Sequence, residues 1–305
     1  MAVNGYGSSH SPNIPPVSEN GRLFHGYMRG MYMYPCDEQE KDRMDIFHKF
    51  FLVARKEVLH QSPLIPNQGP TKILDLGTGT GIWAIDMADK NPDAWVVGID
   101  LANIQPERIP SNLRFRIPQD FESPWALGES SFDLVHLRAG CGSVSSWPDL
   151  YSKVFDHLKP AYGSFEHVEL DMEPRCDDGT LPPDAMMNRW WRYLAEATAR
   201  VNRPIAYNPY TRHMLQQAGF VDIQETVIRV PLNAWASDSH SKDVGRWYNL
   251  GLIEGLEALS LAPLTRVCRW HLDDVKRIVR DVKKEICNKR IHAYNNMHIW
   301  TARRP

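Results

Sequence analysis

The stretch Ile73–Asp89, ILDLGTGTGIWAIDMAD, decides how the rest of the chain is read. It opens as a short apolar run, passes through three glycines spaced two apart, and continues as a helix-like segment. A strand that feeds a glycine turn and then a helix points backbone N–H groups and a helix N-terminus at a ligand. Several adenosine-bearing ligands use that geometry, so the flanking residues must choose among them.

A phosphate loop for nucleoside triphosphates would close on Gly-Lys-Ser/Thr, whereas here the glycines run into Ile82 and Trp83. A dinucleotide fingerprint is met formally by Gly79, Gly81 and Ala84, with Asp100 nineteen residues after Gly81. Counted from the last apolar strand residue, Leu76, the register is instead Gly77-x-Gly79-x-Gly81, with Ile82 where the dinucleotide pattern wants glycine. Asp75, at the carboxyl end of the strand, would repel a pyrophosphate and could accept hydrogen bonds from an amino-acid ammonium. Asp100, at the end of WVVGID, can accept from both hydroxyls of a ribose. S-adenosyl-L-methionine, which has an ammonium and a ribose diol but no phosphate, accounts for both acids.

Outward from the loop, short apolar runs (KILDL, WVVGID, LRFRI, FDLVHLR, GSFEHVEL) alternate with helical segments (IWAIDMADK, LYSKVFDHL). That rhythm predicts a parallel sheet covered on both faces. Beyond Asp171 come longer helices, DAMMNRWWRYLAEATARV and DVGRWYNLGLIEGLEAL, separated by the strand-like IQETVIRVPL. The final helix, LDDVKRIVRDVKKEICNK, mixes acidic and basic residues and reads as a solvated face. After it, HIWTA is expected to close the sheet edge. Upstream, residues 37–60 predict an amphipathic helix entering at Pro35, with Met44, Phe47, Phe51 and Val58 on its apolar side. Residues 1–21, rich in Gly, Ser, Pro and Asn, are expected to be a disordered tail, leaving 22–305 as a single domain.

Composition excludes several classes. The formal net charge of −2 gives no concentrated positive face for direct nucleic-acid binding. Five scattered cysteines, with no CxxC or Cys/His spacing, indicate neither a disulfide framework nor a metal site. No stretch approaches the ~18 apolar residues of a membrane helix, and the N-terminus lacks a signal-peptide pattern.

The set Asp75, GTGTG, Asp100 and the QDF at 119–121 resembles the class I S-adenosylmethionine-dependent methyltransferases. That resemblance implies a Rossmann-like α/β fold with a mainly parallel seven-stranded sheet, an antiparallel last strand and helical insertions. It also implies adenine contacts from Asp120 and Phe121, and S-adenosyl-L-homocysteine as product. More narrowly, GRLFHGYMRGMYMYPCDEQEKDRMDIFHKF, DFESPWALGESSFDLVHLRAGCGSVSSWPDLYSKVF, EPRCDDGTL, GRWYNLGLIEGLEALSLAPLTRV and HAYNNMHIWTARRP resemble the LaeA-type methyltransferases of filamentous fungi. This family implies a regulator of secondary metabolism and development, velvet-domain proteins as partners, and action in the nucleus or cytoplasm. The wider family also holds N- and S-methyltransferases of natural products, and a cofactor-binding scaffold without turnover is a third reading.

The expected cofactor contacts are Tyr34, Arg43, Asp75, Gly77, Thr78, Gly79, Gly81, Asp100, Leu101, Asp120, Phe121 and Arg138. Tyr32 and His48 are further candidates for its methionine end, and helical cover is expected from residues 27–60 and 180–260. Methyl transfer from a sulfonium is an in-line displacement in which alignment matters most; thiolates and neutral amines are already nucleophilic, whereas a hydroxyl acceptor would need a base. Residues following the fourth and fifth strands should face the acceptor. In GSFEHVELD, His167, Glu169 and Asp171 share a face by the period of two, which nominates His167 and Glu169 as catalytic base and orienting group. Of the aromatics Trp190, Trp191, Tyr193, Trp235, Trp247 and Tyr248, most are expected in the core, with Trp247 and Tyr248 exposed.

Overall fold

A computed structural model describes residues 15–27, 30, 32–64 and 69–305. Most of the expected tail lies outside the described residues, but its last part belongs to the fold. Strand β1 (Val17–Glu19) pairs antiparallel with β2 (Arg22–Phe24) across Asn20-Gly21, both at positive φ as a tight two-residue hairpin turn requires. Helix α1 (Glu38–Ala54) follows, capped by Asp37, whose carboxylate accepts from the Glu40 N–H at 3.1 Å and from Arg22 by two bonds of 2.7 Å. The expected helix ran to His60. It stops at Ala54 because Arg55 turns inward to Glu166, at 2.6 Å, and Lys56 and Glu57 adopt positive φ.

The sheet-forming part comprises β3 (Lys72–Leu76), α2 (Ile82–Lys90), β4 (Trp95–Ile99), β5 (Leu113–Arg116), β6 (Leu134–Arg138), α3 (Trp147–His157) and β7 (Ser164–Arg175). Then come α4 (Met186–Arg200), α5 (Thr211–Gln217), β8 (Val221–Pro231), α6 (Ser239–Ala262) with a π-helical extension Pro263–Val267, α7 (Leu272–Ile286) and β9 (Tyr294–Arg303). Seven strands form one sheet in the order β5-β4-β3-β6-β7-β9-β8. Only β9 runs against the others, pairing antiparallel with both β7 and β8. HIWTA is therefore antiparallel as expected but lies inside the sheet; β8 forms the edge.

Central strand β3 buries Ile73, Leu74 and Leu76 completely, as a parallel strand covered on both faces must. One face carries Val135, Phe165 and Trp300 against α3 and α5. On the other, Val168, Leu170, Met297 and Ile299 pack under α1, α4, α6 and α7 with Phe50, Trp190 and Leu252. Helix α6 lies close along α1 because Gly251 and Gly255, one turn apart, face it. A Cβ at Gly251 would stand 2.6 Å from the Phe47 ring, and one at Gly255 would stand 3.0 Å from Arg43 Cδ. Tyr248 is fully buried in this seam, its hydroxyl donating to Asn295 at 2.8 Å, which corrects its expected exposure; Trp247 is half-buried.

Candidate methyl-transfer site

The sheet is built outward in opposite directions from β3, toward β4 on one side and β6 on the other, and a crevice opens above the carboxyl ends of these strands. There a cavity of about 170 Å³ gathers residues from widely separated parts of the sequence. Its floor carries Asp75, the 77–80 turn, Asp100, Leu101, Asp120, Phe121 and Arg138. Its roof is made by α1, through Arg43, Met44, Phe47 and Phe51, and by the segment after β2, through His25, Tyr32 and Cys36.

The glycine turn is shaped by its neighbours. Gly81 sits at φ 82° as the N-cap of α2, and a Cβ there would run into the Phe115 ring at 2.3 Å. Met44 covers Gly79 so closely that a Cβ would lie 3.1 Å from its sulfur. Two bonds clamp α1 over the turn: the Thr80 hydroxyl donates to Asp45 at 2.8 Å, and His48 Nε2 lies 2.9 Å from Asp86 on α2. The roof is thus tied to the floor it covers.

Asp100 lies across the turn. Its Oδ2 accepts from the Gly79 N–H at 2.8 Å and its Oδ1 from the Ala102 N–H at 2.9 Å, leaving lone pairs on both oxygens. Burial raises its pKa to about 6, against the lowering effect of those two N–H groups. Asp75 is more committed than the sequence reading supposed. Its oxygens already accept from the Thr78 hydroxyl at 2.6 Å and from His136 Nδ1 at 2.8 Å, so it braces the turn at the cavity edge. Burial lowers the pKa of His136, which stacks on Trp83 with centroids 3.7 Å apart. Asp120 likewise caps a turn, accepting from the Glu122 N–H at 2.8 Å and the Ser123 hydroxyl at 3.0 Å, while still reaching the wall. Arg43 lines the roof and is also paired within its helix to Glu40 at 2.6 Å.

Two expected contacts stand behind the wall. Gly81 is buried beneath the turn, and the Tyr34 ring presses on Gly142, where a Cβ would meet its hydroxyl at 2.2 Å. His167 and Glu169 require a larger correction. They do share a face of β7, but it is the face packed by α3, away from the cavity. His167 lies 4.8 Å from the Trp147 ring and 3.2 Å from the Tyr151 hydroxyl. Glu169 accepts from the Cys141 N–H at 2.9 Å and the Leu170 N–H at 3.0 Å, fixing the loop after β6. Asp171, farther along the same strand, is held by Arg175 at 2.5 Å.

The sequence reading missed His25 and Arg203. His25 is 7% exposed, and neither ring nitrogen meets a side-chain partner; burial lowers its pKa against a weak backbone contact at Tyr27. It is the only imidazole on the cavity wall among the described residues. Arg203 arrives from the loop after α4 and is held by Glu122 at 2.6 Å. Its local sequence, NRPIAY, carries no signal for the role. The hairpin turn Asn20-Gly21 was a legible hint that the segment leading to His25 is ordered.

This donor set suits S-adenosylmethionine. The floor is acidic, no lysine lines the cavity among the described residues, and Asp100 keeps acceptor capacity for a diol. Among the described residues no cluster of His, Cys, Asp and Glu could hold a metal, and no helix is long and apolar enough to cross a membrane.

Comparison with known proteins agrees with this chemistry. A methyltransferase-domain family model matches residues 46–225. The chain is 66% identical over 290 residues to the secondary metabolism regulator LAE1 of Cochliobolus heterostrophus, covering 94% of each protein. It is 54% identical over 289 residues to the protein-methionine methyltransferase laeA of Emericella nidulans, covering 94% of this chain and 76% of that one. Among solved structures, the complex of the Haloferax volcanii Trm112 methyltransferase activator with a methyltransferase aligns over 88% of this chain and 96% of that one at 12% identity, with a TM-score of 0.51, a likeness of fold. The chain belongs to the LaeA family of S-adenosylmethionine-dependent methyltransferases.

Proposed function

We propose that this methyltransferase acts as a regulator of secondary metabolism whose methyl acceptor is a methionine thioether in a protein. The observation that carries this reading is the near full-length identity to LAE1 and laeA, which spans both the floor and the roof of the cavity. The bound cofactor supplies a methyl group activated on a sulfonium. The chain's own part is to hold the cofactor's ribose on Asp100, cover it with Met44 and Phe47, and keep water out while the acceptor sulfur aligns. A thioether has no proton to lose, so the enclosure of His167 and Glu169 behind the wall is no obstacle to this chemistry. The LaeA resemblance supports a velvet-domain partner and action in the nucleus.

A second reading is favoured by His25. An imidazole on the wall with no side-chain partner and a lowered pKa suits a small-molecule amine or hydroxyl acceptor whose proton must be received. Incubation of the purified chain with methyl-tritiated S-adenosylmethionine, protein acceptors and a velvet-domain protein tests both. Label mapped to methionine sulfur supports the first, and label recovered only in small molecules supports the second. Binding of S-adenosylhomocysteine without turnover on any acceptor would refute both and leave a scaffold.

A further inference from the structure

Among the described residues three arginines reach the cavity wall, and two are neutralised within the chain. Arg43 holds Glu40 at 2.6 Å and Arg203 holds Glu122 at 2.6 Å. Arg55, buried under the same helical layer, holds Glu166 at 2.6 Å. Arg138 differs. Among the described residues no carboxylate lies within ion-pair distance of it, and its one hydrogen bond runs from Nη1 to His48 Nδ1 at 3.2 Å. The acids that act on it from farther away are occupied: Asp75 by Thr78 and His136, Asp86 by His48. Beneath the guanidinium lies the Phe51 ring, 4.6 Å from Cζ to the centroid.

A partly buried cation on a cavity wall, with only a neutral acceptor and an aromatic face, is costly, because neither replaces the water it has lost. Burial pushes the guanidinium pKa down to about 10, still charged at neutral pH. A ligand that brings one anion to this wall would offset the cost. S-adenosylmethionine has one such group, the carboxylate of its methionine portion.

We propose that Arg138 anchors that carboxylate and that His48, backed by Asp86, is the positioning residue that aims the guanidinium. This rests on reading the cavity as the S-adenosylmethionine site. The hydrogen bonds fix the tautomer. Because Nδ1 of His48 accepts from Arg138, its proton sits on Nε2 and is donated to Asp86. Asp86 belongs to the helix that leaves the glycine turn and His48 to the helix that roofs it, so the arginine is aimed only when roof and floor are engaged.

The test is calorimetric titration of the full chain with S-adenosylmethionine and with decarboxylated S-adenosylmethionine, which keeps the ammonium, sulfonium and nucleoside. Wild type is expected to prefer the intact cofactor by roughly 30-fold or more, the scale of a buried charge pair. Arg138→Met should lose that preference and bind both ligands with similar, weak affinity, and Arg138→Lys should keep part of it. His48→Gln, which can accept from Arg138 and donate to Asp86, should retain the preference that His48→Phe loses in part. An Arg138→Met variant that weakens both ligands by the same factor, and so keeps the preference, would overturn the proposal, as would a wild type that does not discriminate. If Arg138→Met does not fold, Arg138→Lys carries the comparison. Asp100→Asn serves as the control for the site: it should weaken both ligands equally, and no weakening would count against the cavity reading while leaving the carboxylate preference to judge Arg138 separately.

Discussion

Asp100 makes cofactor affinity a function of pH, with a sign and size that follow from its surroundings. Its carboxyl is raised to about 6 by burial in the free protein. Ribose hydroxyls donate to the ionised form, so binding stabilises the anion and lowers the pKa in the complex. Affinity therefore approaches its full value above about pH 7 and is lost as pH falls through 6. At pH 5 only about one molecule in eleven is ionised, so the dissociation constant for S-adenosylhomocysteine should be roughly tenfold weaker than at pH 7.5. Calorimetry in two buffers of different ionisation enthalpy adds a second readout: binding should release most of a proton at pH 5, about half at pH 6 and almost none at pH 7.5. Asp100→Asn should bind more weakly at pH 7.5, by about 1–3 kcal/mol, and should lose this pH dependence. A wild-type affinity that is flat from pH 5 to 7.5, or a dependence that survives in Asp100→Asn, would refute the assignment of Asp100 to the ribose.

Other outcomes can be checked with standard measurements. Arg55→Met strands the buried Glu166 with only the Gln61 and Ser62 N–H groups, so urea unfolding at pH 7 should show a loss of about 3 kcal/mol or more; a loss below about 1 kcal/mol would mean the pair is not buried as described. Gly251→Val places methyls against Phe47 and pushes α1 away from α6, which should cost about 1–3 kcal/mol and weaken S-adenosylhomocysteine binding through the roof. Unchanged thermal stability would argue against the close seam. His167→Phe should keep methyl transfer in the tritium assay within about threefold of wild type, whereas a loss of ~100-fold or more would return this residue to catalysis.

How much was legible in the sequence depended on whether the signal was local. Ile73 to Gly81 declared strand, turn and helix because each residue's neighbours enforce that geometry, and Asp100 was found because it ends the next strand. The period of two put His167 and Glu169 on one face of β7 but held no information on which helix covers that face. Tyr248 was misread because α6 is buried on several sides, by α1 and β8 among others, so no single apolar stripe marks its buried positions. Residues joined only by tertiary structure were invisible: Arg203 and His25 meet the cavity from distant parts of the chain, and no spacing rule connects them to Gly77. Asp75 and Asp120 do line the cavity, but hydrogen bonds to their own turns, which no sequence pattern displays, take up part of their capacity.

The place of β9 sets an order of assembly. Strand β8 meets the sheet only through β9, yet two long helices are synthesised between them. Until residues 294–303 have left the ribosome, β8 has no neighbour and the outer edge of β7 is an open row of backbone donors and acceptors. A premature stop anywhere before Tyr294 would therefore cost two strands, and the nascent chain must keep the apolar faces of α4 and α6 from other partners while it waits. For this protein the last strand, ten residues long, is the keystone of the sheet, and the exposed β7 edge is where a chaperone or an aggregate would reach it first.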